Sequence, residues 1–199
     1  MALSKIDMSK MVTGTLPVGS GGTGLTSGTT DQLLKFTGST TLASSAITTG
    51  KVKQVQFVNF DSNTSITSIG SQTATYLTDQ ITPSASSSKV EVIMDVIYQI
   101  ASSDPDGRYQ AAWRIFRSIN GGTYSGVYPE NDDTNIAYGY DEQDSTYFQN
   151  HLGITFMDAP NTTNTVDYKL YVTLQEGNDI NVGKNMYSQI SLKEYLQND

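Results

Sequence analysis

A chain of 199 residues allows one or two domains, and its lack of cysteine leaves no disulfide framework, thiolate metal site or thiol nucleophile. A formal net charge of −8 argues against a nucleic-acid partner, which needs a Lys/Arg-rich face that releases counterions, and offers no polybasic patch to a membrane. No apolar run approaches the ~20 residues of a bilayer span, and Met1 to Asp7 lacks the apolar core of a signal peptide, so the chain is expected to be made in the cytoplasm and to insert in no membrane.

Residues 1–12 carry Leu3, Ile6, Met8 and Met11, an apolar set that is large for an otherwise exposed terminus, and Ser4-x-x-Asp7 is a weak capping-box pattern for one or two helical turns. Apolar residues with no core of their own imply a partner, and methionines suit a groove that must accept mismatched symmetry. This segment is expected to anchor the chain on another protein.

Residues 13–50 form a Gly/Ser/Thr tract with a single aromatic residue, Phe36. Such a tract cannot fold alone, because ordering each backbone residue costs ~1–2 kcal/mol and small hydroxyl side chains recover little of it. It is therefore a flexible linker or one strand of an intertwined multi-chain shaft. A linker would be polar throughout, whereas Leu16, Val18, Leu25, Leu33, Leu34, Phe36, Leu42 and Ile47 recur between turn residues, as in a chain that sends anchors to a shared axis. The expectation is a homotrimeric shaft with Leu16, Val18, Leu25, Leu33 and Phe36 pointing to the three-fold axis. Thr13-Gly14-Thr15-Leu16-Pro17 and Ser39-Thr40-Thr41-Leu42-Ala43 echo one another, though two imperfect copies fall short of a repeat array. Gly14-Thr15-Leu16-Pro17-Val18 followed by Gly21-Gly22-Thr23-Gly24 resembles a segment of fibre proteins on tailed bacteriophages. That resemblance implies a structural virion protein, docked through its N-terminus on another virion protein.

From residue 51 onward the charge sums to −9, since the first 50 residues hold three lysines against two aspartates, and the dominant signal is period two. Val90, Val92, Met94, Val96, Tyr98 and Ile100 alternate with Lys89, Glu91, Asp95 and Gln99, which predicts a long half-buried strand. Ile93 and Ile97 interrupt its polar face, so that face is expected to be partly covered, by a neighbouring subunit or by a loop of the same chain. The same alternation predicts strands through 148–156 and 166–174, with shorter ones at 52–60, 75–81, 110–119 and 189–196. Turn clusters such as Asn120-Gly121-Gly122 and Glu176-Gly177-Asn178-Asp179 separate them, and no helical period competes. The expected fold class is all-β: seven or eight antiparallel strands in a β-sandwich, jelly-roll-like, over residues 51–199. Trp113, on the parity of Ala111 and Ile115, is expected to be buried. This half also resembles a small β-sandwich head at the ends of phage fibres, through Thr82-Pro83-Ser84 into Ser88-Lys89-Val90, then Arg114, Arg117 and Tyr124, then Ser188, Ile190, Leu192 and Glu194.

Enzyme chemistry finds little footing. Gly19-x-Gly21-x-x-Gly24 matches the dinucleotide fingerprint in spacing, but no strand leads in and no helix follows. The one histidine, His151, lies on the polar parity of its strand, which suits a solvent or interface residue better than a catalytic triad, and His-rich metal motifs need a second histidine. Asp104-x-Asp106-Gly107 supplies half a calcium-loop pattern, and acidic residues crowd 130–144, but no segment completes the calcium spacing. No catalytic residue, metal or cofactor is expected.

Residues 120–147 concentrate Tyr with Asn and Asp, a composition that gives rigid amphipathic contact surface at low entropy cost. They are expected to form a recognition surface for a host-cell glycan or protein. Tyr128, Tyr138 and Tyr140 would be the stacking platforms there, with Asn131, Asp132 and Asp141 as hydrogen-bond partners. The competing reading is a segment that fills a groove between subunits. Three functions stay open: a trimeric tail fibre that displays an adhesive head, a capsid-attached fibre of the same build, and a depolymerase acting on surface polysaccharide, with the non-enzymatic tail fibre preferred.

Overall fold

The computed structural model describes residues 22–23, 25, 28–29, 32–39, 41–46, 52–101, 108–129, 137–140, 147–183 and 187–196. At Ala46, Ala101, Arg108, Tyr109, 137–140, Tyr147 and Phe148 it describes the backbone alone. The chain divides into two compact units, residues 1–49 and 50–199. Every described strand pairs antiparallel with its neighbours, and no helix occurs among the described residues.

In the first unit β1 (Gln32–Phe36) pairs with β2 (Leu42–Ala46), and the turn is closed by the Thr37 amide donating to the Thr41 carbonyl at 3.0 Å. All five residues of β1 are exposed, including Leu33 at 58%, Leu34 at 51% and Phe36 at 63%, while Leu25 is half-buried. Leu16 and Val18, and the N-terminal Leu3, Ile6, Met8 and Met11, lie outside the described residues.

The second unit is a β-sandwich. Its first sheet is built on β6 (Lys89–Ala101), whose length follows from thirteen residues without Pro, Gly or Asn. One edge of β6 pairs over 90–101 with β10 (Tyr147–Asp158). Its other edge is shared end to end by β13 (Ser188–Tyr195), over 89–95, and by β12 (Asp179–Val182), over 98–101. Outside these lie β3 (Val52–Phe60) on β13 and β4 (Thr64–Ile66) on β12. Gly183 makes the handover between β12 and β13 by donating its amide to the Ile97 carbonyl at 2.8 Å. It sits at φ +83°, where a Cβ would fall on the Tyr76 hydroxyl and the Ser62 carbonyl, so only glycine fits there.

The second sheet runs β5 (Gln72–Ile81), β11 (Val166–Glu176), β7 (Arg108–Ile119). The free edge of β7 is again shared, by β9 (Ala137–Tyr140) over 108–111 and by β8 (Ser125–Tyr128) over 115–117. Eleven strands among the described residues of this unit therefore replace the seven or eight that alternation suggests. The additional ones, β4, β8, β9 and β12, have three or four residues each, too few to display a period.

The inner faces follow the alternation. Val90, Val92, Met94, Val96 and Ile100 of β6 are buried against Ala111, Trp113 and Ile115 of β7 and Val166, Tyr168, Leu170, Val172 and Leu174 of β11, with Ile190 and Leu192 of β13. Trp113 is 1% exposed and its ring lies 4.8 Å from that of Tyr98 across the sheets. Glu194, the one fully buried carboxylate among the described residues, locks the β5–β6 connection. Its Oε1 accepts from the Ser84 amide (2.6 Å), the Ser84 hydroxyl (2.7 Å) and the Ser88 hydroxyl (2.7 Å), and its Oε2 from Gln54 Nε2 (2.7 Å). Burial alone would raise this carboxyl's pKa, but the four donors outweigh it and the net shift is downward.

Candidate functional site

At the open side of the sandwich the edge strands β8 and β10 leave a cleft of about 760 Å³. Tyr128, the last residue of β8, stacks on Phe156 of β10 with ring centroids 4.9 Å apart and planes at 13°. Phe156 in turn meets the edge of Tyr168 at 6.5 Å. Val127, Pro129, Met157 and Ala159 complete the apolar lining. Pro129 is reached through a cis peptide and its carbonyl accepts from Arg114 Nε at 3.3 Å.

The polar end of the cleft is an inter-sheet clasp. Arg117 and Tyr168 are cross-strand partners on β7 and β11, and both reach across to Asp158 at the end of β10. One Arg117 terminal nitrogen donates to both Asp158 oxygens, at 2.9 and 2.8 Å, and the Tyr168 hydroxyl donates to Oδ2 at 2.7 Å. Burial, and then the neighbouring Asp158 carboxylate, push the Tyr168 hydroxyl above the ordinary phenol range, in keeping with its role as donor to Asp158. The cleft thus offers aromatic and apolar walls beside a charge-compensated Arg/Asp pair. Such a lining suits a neutral ligand with both apolar faces and hydroxyls better than it suits an anion.

Of the residues expected to form a recognition surface, Tyr128 lines this cleft. Tyr138 and Tyr140 belong to β9, so part of the 120–147 segment is sheet edge and not loop. The side chains of Tyr138 and Tyr140, with Asn131, Asp132 and Asp141, lie outside the described residues, as does Asp104-Pro105-Asp106-Gly107. The residues of the fibre-head resemblance have architectural contacts: Arg117 holds Asp158, and Arg114 lies over the Phe116 ring at 5.4 Å. Burial of the Tyr124 hydroxyl, together with its 2.7 Å hydrogen bond to Asp167, pushes its pKa up to about 12. His151 is exposed, its Nε2 3.5 Å from Asp95 Oδ1. Sequence reasoning passed over Phe156 and Asp158, whose parity reads as ordinary strand. Their only signal is that an apolar-face position so near a strand end carries a carboxylate.

No family model and no curated protein matches the chain. Among solved structures it is similar to the infectious bursal disease virus Gt strain, at 9% identity and a TM-score of 0.38, over 82% of this chain and 42% of that one. It is also similar to the VP2 subviral particle of infectious bursal disease virus, at 11% identity and a TM-score of 0.34, over 82% of this chain and 42% of that one. The chain thus spans less than half the length of these neighbours, and likenesses at these scores carry no argument. The fold assignment rests on the strand pairing itself.

Proposed function

We propose that this chain is a structural fibre protein of a tailed-phage virion: residues 1–12 dock on another virion protein, residues 13–50 form a homotrimeric shaft, and residues 51–199 form a head that adheres to the host surface. The observation that carries this reading is the β1–β2 hairpin, which leaves Leu33, Leu34 and Phe36 more than half exposed inside a Gly/Ser/Thr tract. An isolated two-stranded hairpin is marginal in water, and three large exposed apolar side chains on five residues are the kind of surface that further copies of the chain would cover. Adhesion is supported by the Tyr128–Phe156 cleft at the open side of the head, whose walls can stack on sugar faces while the Arg117–Asp158 end meets hydroxyls.

Sedimentation equilibrium of the full chain tests the assembly; the expected mass is three times the 21.6 kDa of one chain, and a stable monomer would refute it. Density of an intact particle that places this chain at the tail, with residues 1–12 at the joint, tests the location.

A further inference from the structure

By strand parity Tyr128 belongs on the outer face of the second sheet. Gly126 of β8 pairs with Phe116, which alternates with the buried Trp113 and Ile115 of β7 and meets Tyr171 on the outer face at 4.3 Å. Two residues further, a regular β8 would set Tyr128 opposite Arg114 on that same face. Tyr128 pairs instead with the fully buried Ile115, because the β7–β8 register shifts there and Val127 is an extra residue. This is a β-bulge, a device that re-aims side chains at a sheet edge. Its effect is that two consecutive side chains, Val127 and Tyr128, both pack against the core and line the cleft.

A bulge leaves its extra residue outside the ladder, and Arg114 supplies another tie. Its Nε donates to the Pro129 carbonyl at 3.3 Å and its Cζ lies 5.4 Å from the centre of the Phe116 ring. Between these contacts the guanidinium crosses Gly126, where a Cβ would overlap its Cζ, Nε and Nη2. Gly126 is not at positive φ, so its backbone would accept other residues; the side chain lying on it is what requires glycine. Arg114 thus holds β8 on both sides of the bulge, at Gly126 and at Pro129, while it does not itself line the cleft.

We propose that Arg114 is the positioning residue of the adhesive site: laid across Gly126 and tied to Pro129, it holds the bulge that turns Tyr128 onto Phe156. The proposal rests on the reading of the cleft as an adhesion site and adds how its aromatic wall is set. Without this latch β8 pairs in regular register, with Val127 opposite Ile115 and Tyr128 on the outer face, since a slip of one residue exchanges the faces. The cleft then loses its ring and keeps only the Arg117–Asp158 end.

The test uses the full chain with isotope-labelled aromatic residues and reads the nuclear Overhauser effect between the Tyr128 and Phe156 rings, whose centroids lie 4.9 Å apart. Arg114→Ala and Gly126→Ala should each abolish it, while the effect between Trp113 and Tyr98, 4.8 Å apart in the core, persists. Gly126→Ala acts through Arg114 alone, so in an Arg114→Ala chain it should change nothing further. Particles carrying either variant should adsorb to host cells at least about tenfold more slowly, the loss that one charge-assisted hydrogen bond corresponds to. A Tyr128–Phe156 contact that survives both substitutions, or a Gly126→Ala effect that persists without Arg114, would overturn the latch and leave the fibre reading standing. Loss of the Trp113–Tyr98 effect in both variants would overturn it too, by assigning Arg114 to the stability of the core. A lost Tyr128–Phe156 contact with unchanged adsorption would remove the cleft as the adhesive site and leave the latch in place.

Discussion

Glu194 shows how one side chain decides whether a loop is fixed. Its buried carboxylate accepts all four donors offered by Gln54, Ser84 and Ser88. Because its folded pKa is lowered, its contribution is fully present above the unfolded glutamate value of about 4.3 and is lost as pH falls through the folded value. Glu194→Gln keeps the shape but turns an amide toward the donors. It is expected to cost about 1–3 kcal/mol at pH 7 and to flatten the acid side of the stability profile, read from urea midpoints between neutral and acid pH. Trp113 gives a second expectation. Its indole nitrogen is buried without a hydrogen-bond partner, so Trp113→Phe loses volume alone, while Trp113→Ala should cost ~3–5 kcal/mol. Since Trp113 is the only tryptophan, strong iodide quenching of the native fluorescence would contradict its placement. Its burial is legible in the sequence, from parity with Ala111 and Ile115. The lock on Glu194 is not, because the donors lie 106 to 140 residues away.

At the scale of elements, both sheets use one device: a long central strand whose edge is divided between two shorter ones, β12 and β13 on β6, β8 and β9 on β7. Each division needs a handover, and at the first it is Gly183. Gly183→Ala adds a Cβ at positive φ into the Tyr76 hydroxyl and should cost at least about 1 kcal/mol from backbone strain, visible as a lower melting temperature. The cleft lies at the β8 end of the second, against the end of β10. Asp158→Asn weakens the clasp that ties β10 to β7 and β11, and should destabilise the head by about 1–3 kcal/mol, read from the urea midpoint. Replacing Tyr128, Tyr138 and Tyr140 together by alanine should abolish adsorption to host cells with little change in trimer stability. Loss of the trimer would show that the segment is architecture. Composition marked Tyr128 as a stacking platform for a ligand; in the fold its ring lies on Phe156 of the same chain. That its partner is Phe156 could not be read, because strand parity assigns a face and not a neighbour.

For the whole molecule, the proposed assembly is coupled to charge. Copies that each carry −8 repel at long range, and salt screens that repulsion over a Debye length of about 10 Å at 0.1 M. Oligomer dissociation measured at low and high sodium chloride should therefore shift toward the assembled state as salt rises. The opposite trend would mean that ion pairs between copies dominate the contact.

The sequence alone determined the class and the faces. Side chains alternate across a strand by covalent geometry, so the runs from Val90, Phe148 and Val166 declared their inner residues without reference to any other part of the chain, whereas 52–60 has no such alternation. Composition likewise separated the small-residue tract from the acidic body. The tertiary structure alone decided which strand takes which edge, that short strands complete both sheets, and that Tyr128, Phe156, Arg117 and Asp158 converge on one cleft. Pairing of this kind joins residues far apart in sequence and is selected by register, turn closure and the hydrogen bonds left over at each edge, none of which a local period records.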